Sequence, residues 1–221
     1  MKRRHLVLAP HHDDAEFGMG GCIQKFLSDG DDVRVIVAAR GNYTRSDWVK
    51  VLGSVRADES RAALTRLGVK DMVFEDWFVE NGAMEAPFGS LVSDIEGAVR
   101  EYEPTDVYVC LPSFNQDHRR LYEATLTVFR PGLQTASLYA YEYPGNLWAE
   151  PVPVFGRRYF IITADEMQGK FDALNMHKSQ FEGRKVGVDP FAALKLATLR
   201  GAEIGEQYAE VLFVLREVVR P

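Results

Sequence analysis

At 221 residues, with 46% hydrophobic and 26% charged side chains, the chain suits one α/β domain with a full core better than two small ones. A formal net charge of −6 argues against a nucleic-acid backbone as main partner, because such proteins carry basic surface to displace counterions. The apolar run Leu6–Pro10 is too short for a secretory signal, and no stretch approaches the ~20 apolar residues that cross a bilayer, so a cytoplasmic protein off the membrane is expected, with Cys22 and Cys110 as reduced, buried thiols.

In chain order, His5–Pro10 reads as a buried parallel strand that runs into polar residues and glycines. A helix is expected from about Gly20 to Ser28, closed by Asp29-Gly30, and a second strand over Asp32–Ala39. Ser54 is a candidate N-cap for a helix to Leu67, stopped by Gly68. A strand at Asp71–Phe74, a helix at Leu91–Tyr102, a strand at Asp106–Leu111 and a helix at Leu121–Phe129 follow. Later strands are expected at Ser137–Tyr143, Arg158–Thr163 and Val211–Leu215, with a helix at Ala164–Lys178. This alternation predicts a Rossmann-like, mostly parallel sheet with helices on both faces, in one domain over residues 1–221. In such sheets ligands bind at the carboxyl ends of the strands. Two polar clusters, His11–Asp14 and Asn115–Arg119, each follow a predicted strand there and are expected to share one crevice.

The first cluster packs two imidazoles and two carboxylates into His11-His12-Asp13-Asp14, ahead of Gly18, Gly20 and Gly21. Those side chains suit a borderline cation such as zinc, whose catalytic sites use three protein ligands and one open position. A strand-to-helix loop with an aspartate cap is the plainer alternative, and a dinucleotide loop fails on glycine spacing and on its acidic residues. In the second cluster His118 is a candidate third ligand and Asp117 a carboxylate that orients a neighbour, against a plain helix start capped by Asn115 or Asp117.

Residues 10–21 resemble the opening motif Pro-His-Pro-Asp-Asp-Glu-x-x-Gly-x-Gly-Gly of the LmbE-like, PIG-L-type zinc deacetylases. Asp117-His118 resembles that family's second motif, and Arg56 to Gly68 its Arg-x-x-Glu helix. The likeness continues through Tyr141-Glu142, Lys170 to Gln180, Arg200-Gly201 and Tyr208–Glu210, nearly the whole chain. The bacterial branch that deacetylates amino-sugar conjugates, as in bacillithiol synthesis, looks nearest. The resemblance implies zinc on His11, Asp14 and His118, with iron(II) or manganese also acceptable to such ligands. It implies Asp13 as general base, Arg56 on the substrate, a small amino-sugar or glycoconjugate substrate, and a homo-oligomer.

Three departures stand out. His12 replaces a proline and is expected to point away from the metal, and Ala15 replaces a glutamate, with Glu16 one place later. Asn115 stands where many members carry a histidine that supports the tetrahedral intermediate or protonates the amine. An asparagine amide donates a hydrogen bond but carries no proton near neutrality, so either Asp13 serves as both base and acid or His177 supplies an imidazole from elsewhere. An amidase for a larger acyl group or thiol conjugate and a catalytically impaired metal- or sugar-binding homologue are the competing functions. Tyr43, Trp48, Trp77, Phe78 and Trp148 are candidates for stacking on a sugar or for packing.

Overall fold

The computed structural model describes residues 2–44, 48–132, 134–145, 156–181 and 189–219. Strand β1 (Arg4–Ala9) leads into α1 (Asp14–Ser28) and β2 (Asp32–Arg40). A two-residue ladder, β3 (Tyr43–Thr44) with β4 (Lys50–Val51), precedes α2 (Gly53–Arg66) and β5 (Asp71–Val79). Next come α3 (Phe88–Tyr102), β6 (Asp106–Cys110), α4 (Gln116–Val128) and β7 (Ser137–Tyr141). The chain closes with β8 (Gly156–Ile161), α5 (Ala164–Leu174), the short α6 (Lys178–Phe181), α7 (Pro190–Ala202) and β9 (Ala209–Arg216).

The main sheet runs β5-β2-β1-β6-β7-β9-β8. Its first five strands are parallel, and β9 and β8 add antiparallel pairings at one side. Period-two alternation splits the core. Val7, Ala9, Val35, Val37 and Tyr108 pack with α1 and α2, whereas Leu6, Leu8, Ile36, Val107 and Val109 pack with α3 and α4. Both faces are therefore covered, which is why the central strands read as continuous apolar runs. Phe17, Leu174 and Ala193 join α1, α5 and α7 in a further cluster.

Several expected boundaries move. Helix α1 begins at Asp14 rather than near Gly20, so Gly18 lies inside it and not in a turn ahead of it. Gly18 is needed there for close approach, since a Cβ would fall 2.3 Å from Tyr141 Cδ2 and 2.6 Å from the Glu142 carbonyl oxygen. Strand β5 runs to Val79, and α4 starts at Gln116, both beyond the apolar segments that marked them. Helix α5 stops at Leu174, which leaves His177 in the turn before α6. Helix α7 has no counterpart among the expected elements, although Asp189 caps it through the Ala192 N–H and Pro190 opens it. No helix among the described residues is long and apolar enough to cross a membrane, and both cysteines are buried and unbridged.

Candidate active site

Strand order reverses between β1 and β6: from β1 the chain crosses to β2 on one side, and from β6 to β7 on the other. At such a switch point the connections diverge and leave a crevice at the carboxyl ends. The two polar clusters line it, one carried on the β1–α1 turn and the other at the start of α4. The cavity there measures about 250 Å³ and is bordered by His11, Asp13, Asp14, Arg56, Glu80 and His118, among others. A second cavity of about 320 Å³ lies at the opposite, amino end of the sheet beside Lys2, Arg3 and Arg158, with no metal-ligating set there among the described residues.

His11, Asp14 and His118 present ligand atoms that all lie within 4.8 Å of one another. Asp14 Oδ2 accepts the His11 backbone N–H at 2.8 Å and lies 3.1 Å from His11 Nδ1, while its Oδ1 is 3.3 Å from His118 Nε2. The far nitrogens are backed as well: His11 Nε2 is 2.9 Å from Asp117 Oδ2, and His118 Nδ1 is 3.1 Å from Cys110 Sγ. Asp117 is held in turn by backbone N–H groups of Asn81 at 2.6 Å and Ala83 at 3.0 Å. Burial works to raise the Asp14 pKa, but His118 and His11 outweigh it and hold the carboxyl far below its usual range.

Asp13 occupies the N-cap position of α1 yet makes no side-chain capping bond, so its carboxylate is left to the cavity. Burial, reinforced by the charge of Asp14, raises its pKa, against the opposing pull of Arg56. Arg56, itself buried, lies 3.9 Å from Asp13 through Nη2 and forms a close ion pair with Glu80 through Nη1. Glu80 carries no motif signal in the sequence. It enters the site because β5 ends one residue before it, and burial raises its pKa too.

Asn115 accepts the Asp117 N–H on Oδ1 at 2.9 Å, which caps α4 and fixes which end of its amide is oxygen. Its Nδ2 is then the donor it can offer the cavity it lines. His177 is buried and does not line that cavity. Its Nε2 lies 3.2 Å from Glu16 Oε1, which also accepts the Ser60 hydroxyl at 3.3 Å. His12 turns the other way, as expected, stacked on Phe74 at 5.8 Å between ring centroids, and a Cβ on Gly41 would fall 2.5 Å from its Cε1. Burial, aided by the Arg56 charge, pushes the His12 pKa down to about 3. Of the aromatic candidates, Phe78 is buried in the core with Trp77 packed against it, and Trp48 is exposed. Trp148 and the Tyr43 side chain lie outside the described residues. Tyr143, not singled out by the sequence, borders the cavity edge-on to His118.

Comparison with known proteins gives this geometry a context. The family described as GlcNAc-PI de-N-acetylase (PIG-L) matches residues 6–129, from β1 past the end of α4. A diacetylchitobiose deacetylase of Thermococcus kodakarensis is 27% identical over 192 residues, 81% of this chain and 70% of that protein. The structure of N,N'-diacetylchitobiose deacetylase from Pyrococcus horikoshii superposes with a TM-score of 0.75 at 23% identity, covering 96% of this chain and 84% of that one. That of GalB, a 4-carboxy-2-hydroxymuconate hydratase from Pseudomonas putida, gives 0.76 at 21% identity, covering 100% and 99%. These two structural likenesses establish the fold, and a fold that also carries a hydratase leaves the reaction to the site.

Proposed function

The chain belongs to the PIG-L family of N-deacetylases, and from that membership we propose that it hydrolyses the N-acetyl group of a small amino-sugar-containing molecule with a divalent cation, zinc first, on His11, Asp14 and His118. The donor set fits: two imidazoles and a carboxylate suit zinc, accept iron(II), and border an open cavity. Asp117, behind His11, matches the outer hydrogen bond to a carboxylate that ligand histidines usually make. When bound, such a cation supplies Lewis acidity, lowering the pKa of a water and polarising the amide carbonyl.

The remaining steps fall to the chain's own groups. Asp13 takes a proton from the attacking water and returns it to the departing amine nitrogen, a role served by its raised pKa. The Nδ2 donor of Asn115 steadies the negative charge that develops on the carbonyl oxygen. Arg56 and Glu80 hold the hydroxyls of the sugar. Asp117 keeps His11 in one orientation. No proton transfer is assigned to His177, because Nε2 faces Glu16. Acetyl is taken as the acyl group because the deacetylases the chain resembles are named for removing it.

The observation that carries the proposal is the convergence of His11, Asp14 and His118 beside an uncapped Asp13 at the switch point. The test is metal content together with acetate release from N-acetylglucosamine-type substrates, for wild type and Asp13→Ala. Stoichiometric metal in both, with a rate loss of about 10²–10⁴ in the variant, is expected. Metal bound without acetate release by wild type would favour the larger-acyl amidase or the binding protein, and absence of metal after zinc is supplied would overturn the assignment.

A further inference from the structure

We propose that Lys170 and Glu210 are positioning residues for the reaction, acting through α1 on Asp13 and Asp14. The inference rests on the function proposed above. It gives a task to two residues that the family resemblance takes in but that stand apart from the cavity.

Lys170, on α5, and Glu210, on β9, are buried together as an ion pair of 2.6 Å. Their other hydrogen bonds fall on the backbone of α1. Glu210 accepts the Gly21 N–H at 3.0 Å on Oε1 and the Cys22 N–H at 2.7 Å on Oε2, while Lys170 Nζ donates to the Phe17 carbonyl at 2.6 Å. In a regular α-helix the Gly21 N–H pairs with that same carbonyl, four residues back. The ion pair therefore bridges the two ends of one rung of the helix, from Gly21 through Glu210 and Lys170 to Phe17. Lys170 reaches the helix backbone because Gly20 has no side chain: a Cβ there would fall 2.8 Å from Lys170 Cγ.

A side chain set into the hydrogen-bond ladder is one of the few causes of a change in a helix's direction. On the amino side of this rung lies the first turn of α1, with Asp13 at its cap and Asp14 as its first residue. Phe17 closes that turn by donating its N–H to the Asp13 carbonyl at 3.0 Å. A shift at Phe17 thus passes to the site within one turn. The site has little room for it, since Asp14 must meet His11 at 3.1 Å and His118, which comes from α4, at 3.3 Å. Apolar residues of similar volume often hold a fold as well as a buried ion pair does, so the pair is better suited to set geometry than to add stability.

Removing one member alone would lower Tm by leaving the other charged and buried. The test therefore changes both, Lys170→Met with Glu210→Met, which lets the Gly21 N–H return to the Phe17 carbonyl. The double variant is expected to keep the Tm of wild type. It should bind zinc roughly 10-fold more weakly in competition with a chelator, and lose about 10²-fold in kcat on an N-acetylglucosamine-type substrate with zinc saturating. KM should hardly move, because Arg56 is on α2 and Glu80 follows β5. A folded double variant with wild-type zinc affinity and kcat overturns the proposal. Should it fail to fold, Gly20→Ala decides, since its methyl crowds Lys170 and removes neither charge. A smaller fall in kcat at unchanged KM is expected there, and a wild-type kcat overturns the proposal. If wild type itself takes up no zinc and releases no acetate, the proposed function fails first, an outcome distinct from an active enzyme indifferent to this pair.

Discussion

The two ends of strands β1 and β6 bury similar chemistry and treat it differently. At the amino end Asp106 is fully buried but matched by the Arg3 guanidinium and by the Thr105 hydroxyl at 2.6 Å. His5, equally enclosed, lies 2.8 Å from the Tyr108 hydroxyl and 3.1 Å from Asp31. At the carboxyl end Asp13, Asp14, Glu80 and Asp117 crowd around His11, His118 and Arg56, and Asp13 has Arg56 only at 3.9 Å. A structural cluster closes on itself. A working one leaves a carboxylate under-matched with its pKa displaced upward, as burial and Asp14 do to Asp13.

The largest effect that would break this contrast comes from Arg56→Ala. Removing a buried cation that faces Glu80 and Asp13 leaves two carboxylates enclosed without it, so a loss of about 3–5 kcal/mol in urea unfolding is expected. Adding Glu80→Gln to that variant should recover a good part of the loss. A cost under about 1 kcal/mol for the single change would mean that the carboxylates are solvated, and the carboxyl end would then resemble an ordinary surface.

Next in size is Asn115→Asp, which sharpens the contrast by separating structure from chemistry at one residue. Aspartate caps a helix about as well as asparagine, so Tm should hold. The amide donor is lost, however, and kcat is expected to fall about 10²–10³-fold. An unchanged kcat would remove Asn115 from the reaction and leave it a cap only.

How much of this was legible in the sequence follows from the kind of signal each residue gives. Strands β1, β2, β6 and β7 show as apolar runs because both faces of the sheet are covered. His11, Asp13, Asp14, Asp117 and His118 show because ligand-type residues cluster just after strands. The start of α1 was hidden by Gly18, which read as part of a turn but allows close approach to Tyr141 of β7. Glu80 was hidden because β5 continues through Glu75 and Asp76, polar residues that read as the end of a strand. The Cys110–His118 contact belongs to no motif, since it depends on how α4 turns back over the end of β6. The antiparallel placement of β8 and β9 likewise follows from pairing between distant segments, not from local pattern.

The smallest expected effect lies at the quiet end, and it is a pH dependence. Burial lowers the His5 pKa from its usual value near 6.5, against the partial support of Asp31. The unfolded chain therefore takes up the proton first as pH falls, and between 6.5 and the lower folded value it binds more protons than the native state. Stability through His5 is thus full above about pH 6.5 and declines as pH drops below it. Asp31 does not confuse this window. Burial tends to raise its pKa, but the Arg3 N–H and His5 outweigh that and hold it below the usual carboxylate value, so its contribution is lost only at more acid pH. The protein has other buried histidines, and a single curve cannot isolate His5. The difference between wild type and His5→Phe can, since phenylalanine keeps the stack on Phe26, 4.0 Å between centroids, and carries no proton. Urea midpoints at pH 7.5 and 5.5 should show wild type losing stability relative to the variant on acidification. If the gap is constant or widens in favour of wild type at pH 5.5, His5 is charged in the folded state, and the amino end carries an ion pair with Asp31 in place of a neutral, satisfied histidine.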